Sequence, residues 1–129
     1  MSVRSNKFKV NRTWVVGRMH EHLMIQQDAV DVYFLLDAAS SYAFGQFIVQ
    51  GEVPEIQMVE QVFDDAFKKS GLWPKELLIP KDDPVEGVLR QLAGKFKIQV
   101  KVLPEPQLAP LLKNLRDRFA QFVARDRPQ

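Results

Sequence analysis

The stretch from Val30 to Val49, VDVYFLLDAASSYAFGQFIV, decides the fold. An apolar run rich in Val, Tyr, Phe and Leu ends at Asp37, a corner of small residues follows at 38–41, and a second apolar run begins at Tyr42. A strand that is apolar on both faces is buried within a sheet, and Ala-Ser corners turn the chain between two such strands. The stretch therefore predicts a buried β-hairpin.

The composition around this hairpin is that of one ordinary globular domain. The 129 residues include no cysteine, and 18 Lys and Arg stand against 16 Asp and Glu. Disulfides, thiolate zinc sites and a cysteine nucleophile are therefore excluded. No run approaches the roughly 20 apolar residues of a membrane helix, and the basic first residues lack an apolar stretch of signal-peptide type. We expect no membrane contact, a cytoplasmic location, a loose arm at residues 1–11 and a single domain at 12–125.

Two segments precede and extend the hairpin. RTWVVGRMH at 12–20 predicts a first strand that carries a glycine inside it. HEHLMIQQ at 20–27 fits either a continuation of the strands into a long hairpin or a short helical turn. After the hairpin, Pro54 is expected at the first position of a helix that ends at Gly71.

The second half of the chain alternates strands and helices. KELLIP at 75–80 and the alternating KIQVKV at 97–102 predict strands, and between them Asp83 is expected as the N-cap of a helix that ends at Gly94. A last helix carries an apolar stripe of leucines and phenylalanines that includes Phe119 and Phe122, and it tolerates Pro110 only in its first turn. The predicted order is βββαβαβα, an α/β fold with a five-stranded mixed sheet flanked by helices.

Three local motifs accompany this order. Trp14 lies in the first strand, residues 37–42 read D-A-A-S-S-Y, and residues 77–83 end the fourth strand in two acids. With them, the region from Arg12 to Val123 resembles the ribonuclease H-like fold, and most closely the catalytic core of retroviral-type integrases and DDE transposases. The corner, together with the G-x-x-P-K/R pattern at Gly71 to Lys75, is also similar to bacterial domains of unknown function.

The resemblance implies carboxylates that hold two divalent metal ions around a phosphodiester. The acid of the first strand should then fall at Gly17, and the carboxylate of the last helix near Leu111 or Leu112. Glycine and leucine supply no metal ligand. Only Asp82 or Asp83 matches a catalytic position, and Asp83 already has a structural role as an N-cap.

Asp37 is the other candidate carboxylate. A shifted register of the first strand would let Asp37 approach Asp82 and form a partial metal site. The alternative is that Asp37 accepts hydrogen bonds from the amides of Ser40 or Ser41 in the turn. His20 and His22 would share one face of a strand, but with no third ligand nearby a surface hairpin is preferred over a zinc site.

The basic residues of the last helix are the remaining candidates. Lys113, Arg116 and Arg118 should lie away from its apolar stripe, where they could contact a polyanion without contributing to stability. We expect a non-catalytic interaction or scaffold module that binds a protein partner or a second copy of itself, without cofactor. The alternatives are a nucleic-acid-binding protein and a weak nuclease, which would need Mg²⁺ or Mn²⁺.

Overall fold

A computed structural model of the chain describes residue 9 and residues 11–19, 23–25, 27–51 and 53–126. The strands are β1 (Thr13–Arg18), β2 (Leu23–Ile25), β3 (Asp28–Asp37), β4 (Ala43–Val49), β5 (Glu76–Pro80) and β6 (Gln99–Leu103). The helices are α1 (Ile56–Ser70), α2 (Glu86–Lys95) and α3 (Glu105–Asp126). Apart from the short β2, this is the predicted order. The loose arm predicted at residues 1–11 lies almost wholly outside the described residues.

The five long strands form one mixed sheet in the order β4-β3-β1-β5-β6. β3 pairs antiparallel with both β1 and β4, whereas β5 pairs parallel with β1 and with β6. The five-stranded mixed sheet predicted from the sequence is thereby confirmed. Of the two alternatives for residues 20–27, the strand is correct for Leu23–Ile25, because Leu23 pairs with Val30 across a hairpin.

Helices cover both faces of the sheet. α1 and α2 pack on one face around the rings of Trp14, Phe63 and Trp73, while α3 alone packs on the other face through its leucines. Because β4 lies at one edge of the sheet, its side chains on the α3 face are incompletely covered: Gln46 is exposed and Ala43 is half-buried. No helix in the described ranges is long and apolar enough to cross a membrane.

The ends of α1 follow the prediction in part. Gly71 adopts the left-handed conformation with φ of 79°, and its N–H donates to the carbonyl of Phe67 at 2.7 Å. The expected glycine stop is thus confirmed. Pro54 is not the first helical residue, since the helix begins two residues later at Ile56. The pyrrolidine instead lies buried in the loop that leads into α1.

The ends of α2 and α3 differ more from the prediction. The N-cap of α2 is Val85 rather than Asp83, whose carboxylate accepts from the N–H of Val85 in the turn before the helix. The helix continues through Gly94 to Lys95, and Lys97, with φ of 57°, makes the reversal. α3 begins at Glu105, so Pro110 lies in its second turn rather than its first. Pro110 has no N–H to donate to the preceding turn, and its exposed ring faces away from the sheet.

Candidate functional site

The place of the expected first-strand carboxylate is filled by contact between β1 and α3. A Cβ built on Gly17 would lie 2.3 Å from Cδ2, 2.5 Å from Cδ1 and 2.9 Å from Cγ of Leu112. Carbon atoms in favourable contact are about 3.5–4.0 Å apart. Leu112 is fully buried, so its side chain has no solvent into which to retreat. The two residues expected to supply metal ligands therefore form one dry apolar contact with no volume for a carboxylate.

The acid at the start of α2 belongs to a buried polar cluster. Asp83 Oδ1 accepts hydrogen bonds from the hydroxyl of Tyr33 at 2.8 Å and from the backbone N–H of Val85 at 3.0 Å. The guanidinium of Arg18 lies 2.7 Å from Asp31 and 4.0 Å from Asp83. A side-chain cation thus lies between two carboxylates at the end of β1, on the sheet face opposite to the Gly17–Leu112 contact.

This cluster keeps Tyr33 protonated. Burial raises the pKa of the Tyr33 phenol above its ordinary value, and the hydrogen bond and negative charge of Asp83 raise that pKa further. The phenol ring stacks on Phe47, with ring centroids 5.2 Å apart. Tyr33 therefore acts as a neutral hydrogen-bond donor that fixes one carboxylate oxygen of Asp83.

Asp37 and Asp82 do not approach each other. Asp37 pairs with Trp14 in β1, Trp14 pairs with Leu77 in β5, and β5 continues for three residues to Pro80 before the turn that contains Asp82. At roughly 3.3 Å per residue, Pro80 already lies about 10 Å along the sheet from the level of Asp37. The idea of a metal site shared by Asp37 and Asp82 is therefore wrong, because the two residues lie towards opposite ends of the sheet.

Asp37 is instead the centre of the corner that joins β3 to β4. Its carboxylate is buried and accepts hydrogen bonds from the N–H of Asn11 at 2.9 Å, the N–H of Ser40 at 3.1 Å and the hydroxyl of Ser40 at 2.6 Å. These contacts agree with the turn interpretation. Within the described ranges, no group of three or more His, Cys, Asp or Glu side chains could hold a metal ion. His20 and His22 lie outside those ranges.

Arg116 does not lie on the exposed face where the sequence placed it. Only 9% of Arg116 is exposed, and its Nε and one terminal nitrogen donate to the carbonyl of Arg18 at 3.0 and 2.7 Å. It also forms an ion pair with Glu105. The helical spacing does indicate that Arg116 lies on the buried face of α3, because Arg116 follows Leu112 by four residues and precedes Phe119 by three. Arg116 therefore joins α3 to the end of β1.

The other two basic candidates are exposed on α3. Lys113 forms an ion pair with Asp117 one turn later at 3.0 Å, and Arg118 faces an open groove. Phe122, which was expected within the buried stripe, is 52% exposed. It lines the smaller cavity beside Phe34 and Gln46, whereas the next residue, Val123, is buried.

The groove beside Arg118 runs between α3 and the first half of β4. Its larger part has a volume of about 1130 Å³ and reaches from the 40–44 corner to the end of α1. A smaller cavity of about 400 Å³ lies over Phe34, Phe119 and Phe122. Both cavities are lined by Leu115 and Arg118. Sequence patterns did not indicate this groove, because segments far apart in the chain form its walls.

No family model matches the chain, and no curated protein matches it in sequence. Solved structures do resemble it. The catalytic core domain of BIV integrase superposes with a TM-score of 0.57 at 10% identity, covering 92% of this chain and 75% of that chain. The catalytic core domain of HTLV-2 integrase in complex with magnesium gives a TM-score of 0.58 at 10% identity, covering 92% and 76%.

A chain of the simian T-cell lymphotropic virus intasome in complex with PP2A regulatory subunit B56 gamma is similar as well. Its TM-score is 0.59 at 10% identity, covering 90% of this chain and 42% of that chain. At such low identity, the likeness establishes the fold alone. The chain has the ribonuclease H-like fold of the retroviral integrase catalytic cores, as its sequence motifs indicated.

Proposed function

We propose that this ribonuclease H-like chain is a non-catalytic interaction or scaffold module. The contact between Gly17 and Leu112 is the observation that carries the proposal. Two-metal phosphoryl transfer requires several carboxylate oxygens around the metal ions. Here the first-strand and last-helix positions are apolar and packed against each other, which removes two of the ligands that such chemistry needs.

The charges around Asp83 support the same conclusion. A divalent ion at Asp83 would meet the positive guanidinium of Arg18, which lies 4.0 Å from that carboxylate. Like charges a few ångströms apart repel, and the repulsion is larger where water is scarce. Arg18 already neutralises Asp31 and approaches Asp83. We therefore propose neither Mg²⁺ nor Mn²⁺ as a cofactor.

Nucleic-acid binding is a second candidate function. Lys113 and Arg118 are both exposed on α3, where they could contact phosphates. Arg116 is withdrawn from this candidate surface by its contacts with β1. A binder of this kind would lose affinity steeply with added salt, because phosphate contacts release counterions.

A nuclease assay tests the catalytic part of the proposal. The chain is incubated with single- and double-stranded DNA and RNA in Mg²⁺ and in Mn²⁺, beside the Asp82→Ala and Asp37→Ala variants. We expect no metal-dependent cleavage above that of a mock purification. Cleavage by the wild-type chain that Asp82→Ala abolishes would overturn the proposal. Asp82 suits this test because it is exposed, so its removal leaves the core intact.

Three further expectations accompany this function as proposals. Residues 12–125 are taken as the single domain that carries it, and the cytoplasm as its location. The bacterial affiliation rests on the corner at 37–42 and the Gly71 to Lys75 pattern. Size-exclusion chromatography with light scattering would show whether the module binds a second copy of itself.

A further inference from the structure

We propose that the groove between α3 and β4 binds a short, extended peptide of another protein that combines apolar and acidic side chains. The proposal rests on the interaction function proposed above and names the partner class. The α3–β4 groove is defined by the two cavities that share Leu115 and Arg118. Three features of this groove, its apolar floor, its cations and its open strand edge, point to the same ligand.

The apolar floor can hold one large side chain of the peptide. Phe34 of β3 is only half-buried and meets the ring of Phe119 edge-on, with centroids 6.0 Å apart and planes at 72°. Phe122 lies beside Phe119 with centroids 6.4 Å apart and leaves half of its surface to solvent. The cavity over these rings has a volume of about 400 Å³. Ligand pockets in proteins occupy about 300–1,000 Å³.

The charges of the groove favour an acidic ligand. Arg118 lines both cavities, and the ammonium of Lys69 donates to a backbone carbonyl of β4 at 2.7 Å, a neutral acceptor that leaves its positive charge in place. Two carboxylates also line the groove. Asp117 pairs with Lys113, and Asp37 keeps its negative charge but is only 1% exposed. The exposed charges of Arg118 and Lys69 are therefore positive, and a carboxylate of a ligand would meet one of them.

The edge of β4 can bind the backbone of an extended peptide. In the described part of the chain, β4 pairs with β3 alone, and the seven residues from Ala43 to Val49 contain neither charge nor proline. Edge strands that avoid pairing with other chains usually carry such residues. Apart from the Phe44 carbonyl, which accepts from Lys69, this edge offers backbone groups to an added strand, and neighbouring pockets then select its side chains. β6, the opposite edge, carries Lys101 and follows Lys97.

The same features disfavour two other ligands of the groove, a nucleic-acid strand and a second copy of this chain. A nucleic-acid strand needs a track of cations along its phosphates, whereas the centre of this groove is aromatic and only Lys69 and Arg118 line it as cations among the described residues. A second copy would have to supply an extended acidic apolar segment. The acidic stretch at 82–86 is fixed in the turn that leads into α2. A peptide from another protein is therefore the best match.

Selection from a peptide library tests the proposal and does not require the partner to be identified. A display library of random 12-residue peptides is selected on the immobilised full chain, and enriched peptides are synthesised and measured by fluorescence polarisation. We expect enriched peptides to carry at least one Asp or Glu within a few positions of an aromatic or aliphatic residue. Phe122→Ser and Arg118→Glu should each weaken their binding by about tenfold or more, as for central interface residues.

Two control variants match these changes in type and exposure. Val53→Ser removes an apolar side chain that is 63% exposed beyond the far end of β4, and Lys101→Glu reverses an exposed charge on the opposite edge of the sheet. Both should bind the selected peptides as the wild-type chain does. All four variants are first checked for an unchanged circular dichroism spectrum and Tm, so that lost binding cannot reflect lost folding.

Several outcomes would overturn the proposal. They are the absence of enrichment over the empty matrix, enriched peptides without acidic residues, and equal binding to the groove and control variants. Labelled oligo(dT) whose binding is lost in Phe122→Ser would assign the groove to nucleic acid instead. A dimer of the free chain that the same variant dissociates would assign it to a second copy. None of these results bears on the nuclease assay, so a failure here leaves the absence of catalysis intact.

Discussion

The Gly17–Leu112 contact predicts that Gly17→Ala lowers the stability of the chain, whereas an ordinary strand glycine would give the opposite sign. Alanine in place of a strand glycine ordinarily stabilises by roughly 0.5–1 kcal/mol, because it reduces the entropy lost on folding. In Gly17→Ala the added methyl would lie 2.3 Å from Leu112 Cδ2, so Leu112 or the whole of α3 must shift. Overpacking of this kind costs about 1–3 kcal/mol. We expect Gly17→Ala to lower the free energy of unfolding.

A double-mutant cycle tests whether the clash with Leu112 causes the loss of stability in Gly17→Ala. Leu112→Ala removes a fully buried side chain and should cost about 2–5 kcal/mol. In the double variant, the methyl at residue 17 enters space that Leu112 has left, so the combined cost should fall short of the sum of the two by about 1–3 kcal/mol. Gly94→Ala is the matched control, since nothing lies within 4 Å of a Cβ at that exposed helical position. Gly94→Ala should stabilise by up to about 1 kcal/mol.

Urea denaturation followed by tryptophan fluorescence gives the free energy of each variant, because Trp14 is fully buried and reports on the core. The slope against urea should stay the same in each variant, as the surface exposed on unfolding hardly changes. A neutral or stabilising Gly17→Ala, or strictly additive costs in the cycle, would refute the reasoning that Leu112 occupies the expected carboxylate position.

Three buried polar contacts supply the remaining predictions. Arg116→Ala should destabilise by about 1.5–3 kcal/mol in urea denaturation, because it removes charged hydrogen bonds to a buried carbonyl, whereas the exposed Arg118→Ala should change stability by less than about 0.5 kcal/mol. Absorbance titration at 295 nm should show one phenol ionising above the ordinary pKa of about 10, a transition that Tyr33→Phe removes. Since the folded-state pKa of Tyr33 is raised, its contribution to stability is present below about pH 10 and is lost as the pH rises further, a loss that Tyr33→Phe should lack. Asp37→Ala should cost about 2 kcal/mol or more, because three donors at the β3–β4 corner lose their acceptor; an unchanged Tm would contradict that role.

The sheet was predictable from local sequence because each strand and helix has its own periodicity. The alternation at 97–102, of which 99–102 lies in β6, and the glycine stop at Gly71 are properties of neighbouring residues, and the order of elements then restricts the topology to few choices. The D-A-A-S-S-Y motif at 37–42 then indicated the ribonuclease H-like fold. These signals are readable because they do not depend on which distant segments meet.

Contacts between distant segments explain what the sequence did not reveal. Arg116 looked like a surface cation until its partner, a carbonyl of β1 at Arg18, was located 98 residues earlier in the chain. Phe122 fits the apolar period of α3, but it faces the open space beside Phe34 and Gln46 rather than the core. The groove likewise depends on how α3 and β4 are placed relative to each other in the folded chain. Periodicity gives the direction of a side chain, and only the assembled sheet determines what lies there.

Binding of Mn²⁺ tests the central claim most directly, namely that the carboxylate positions of the integrase-type site are closed in this fold. Electron paramagnetic resonance measures free Mn²⁺ during titration with the chain, beside Asp83→Asn as the variant that removes the one matching acid of the buried cluster. The account predicts that free Mn²⁺ equals added Mn²⁺ up to millimolar concentrations for both proteins. Saturable binding of one or two ions to the wild-type chain, lost in Asp83→Asn, would contradict it.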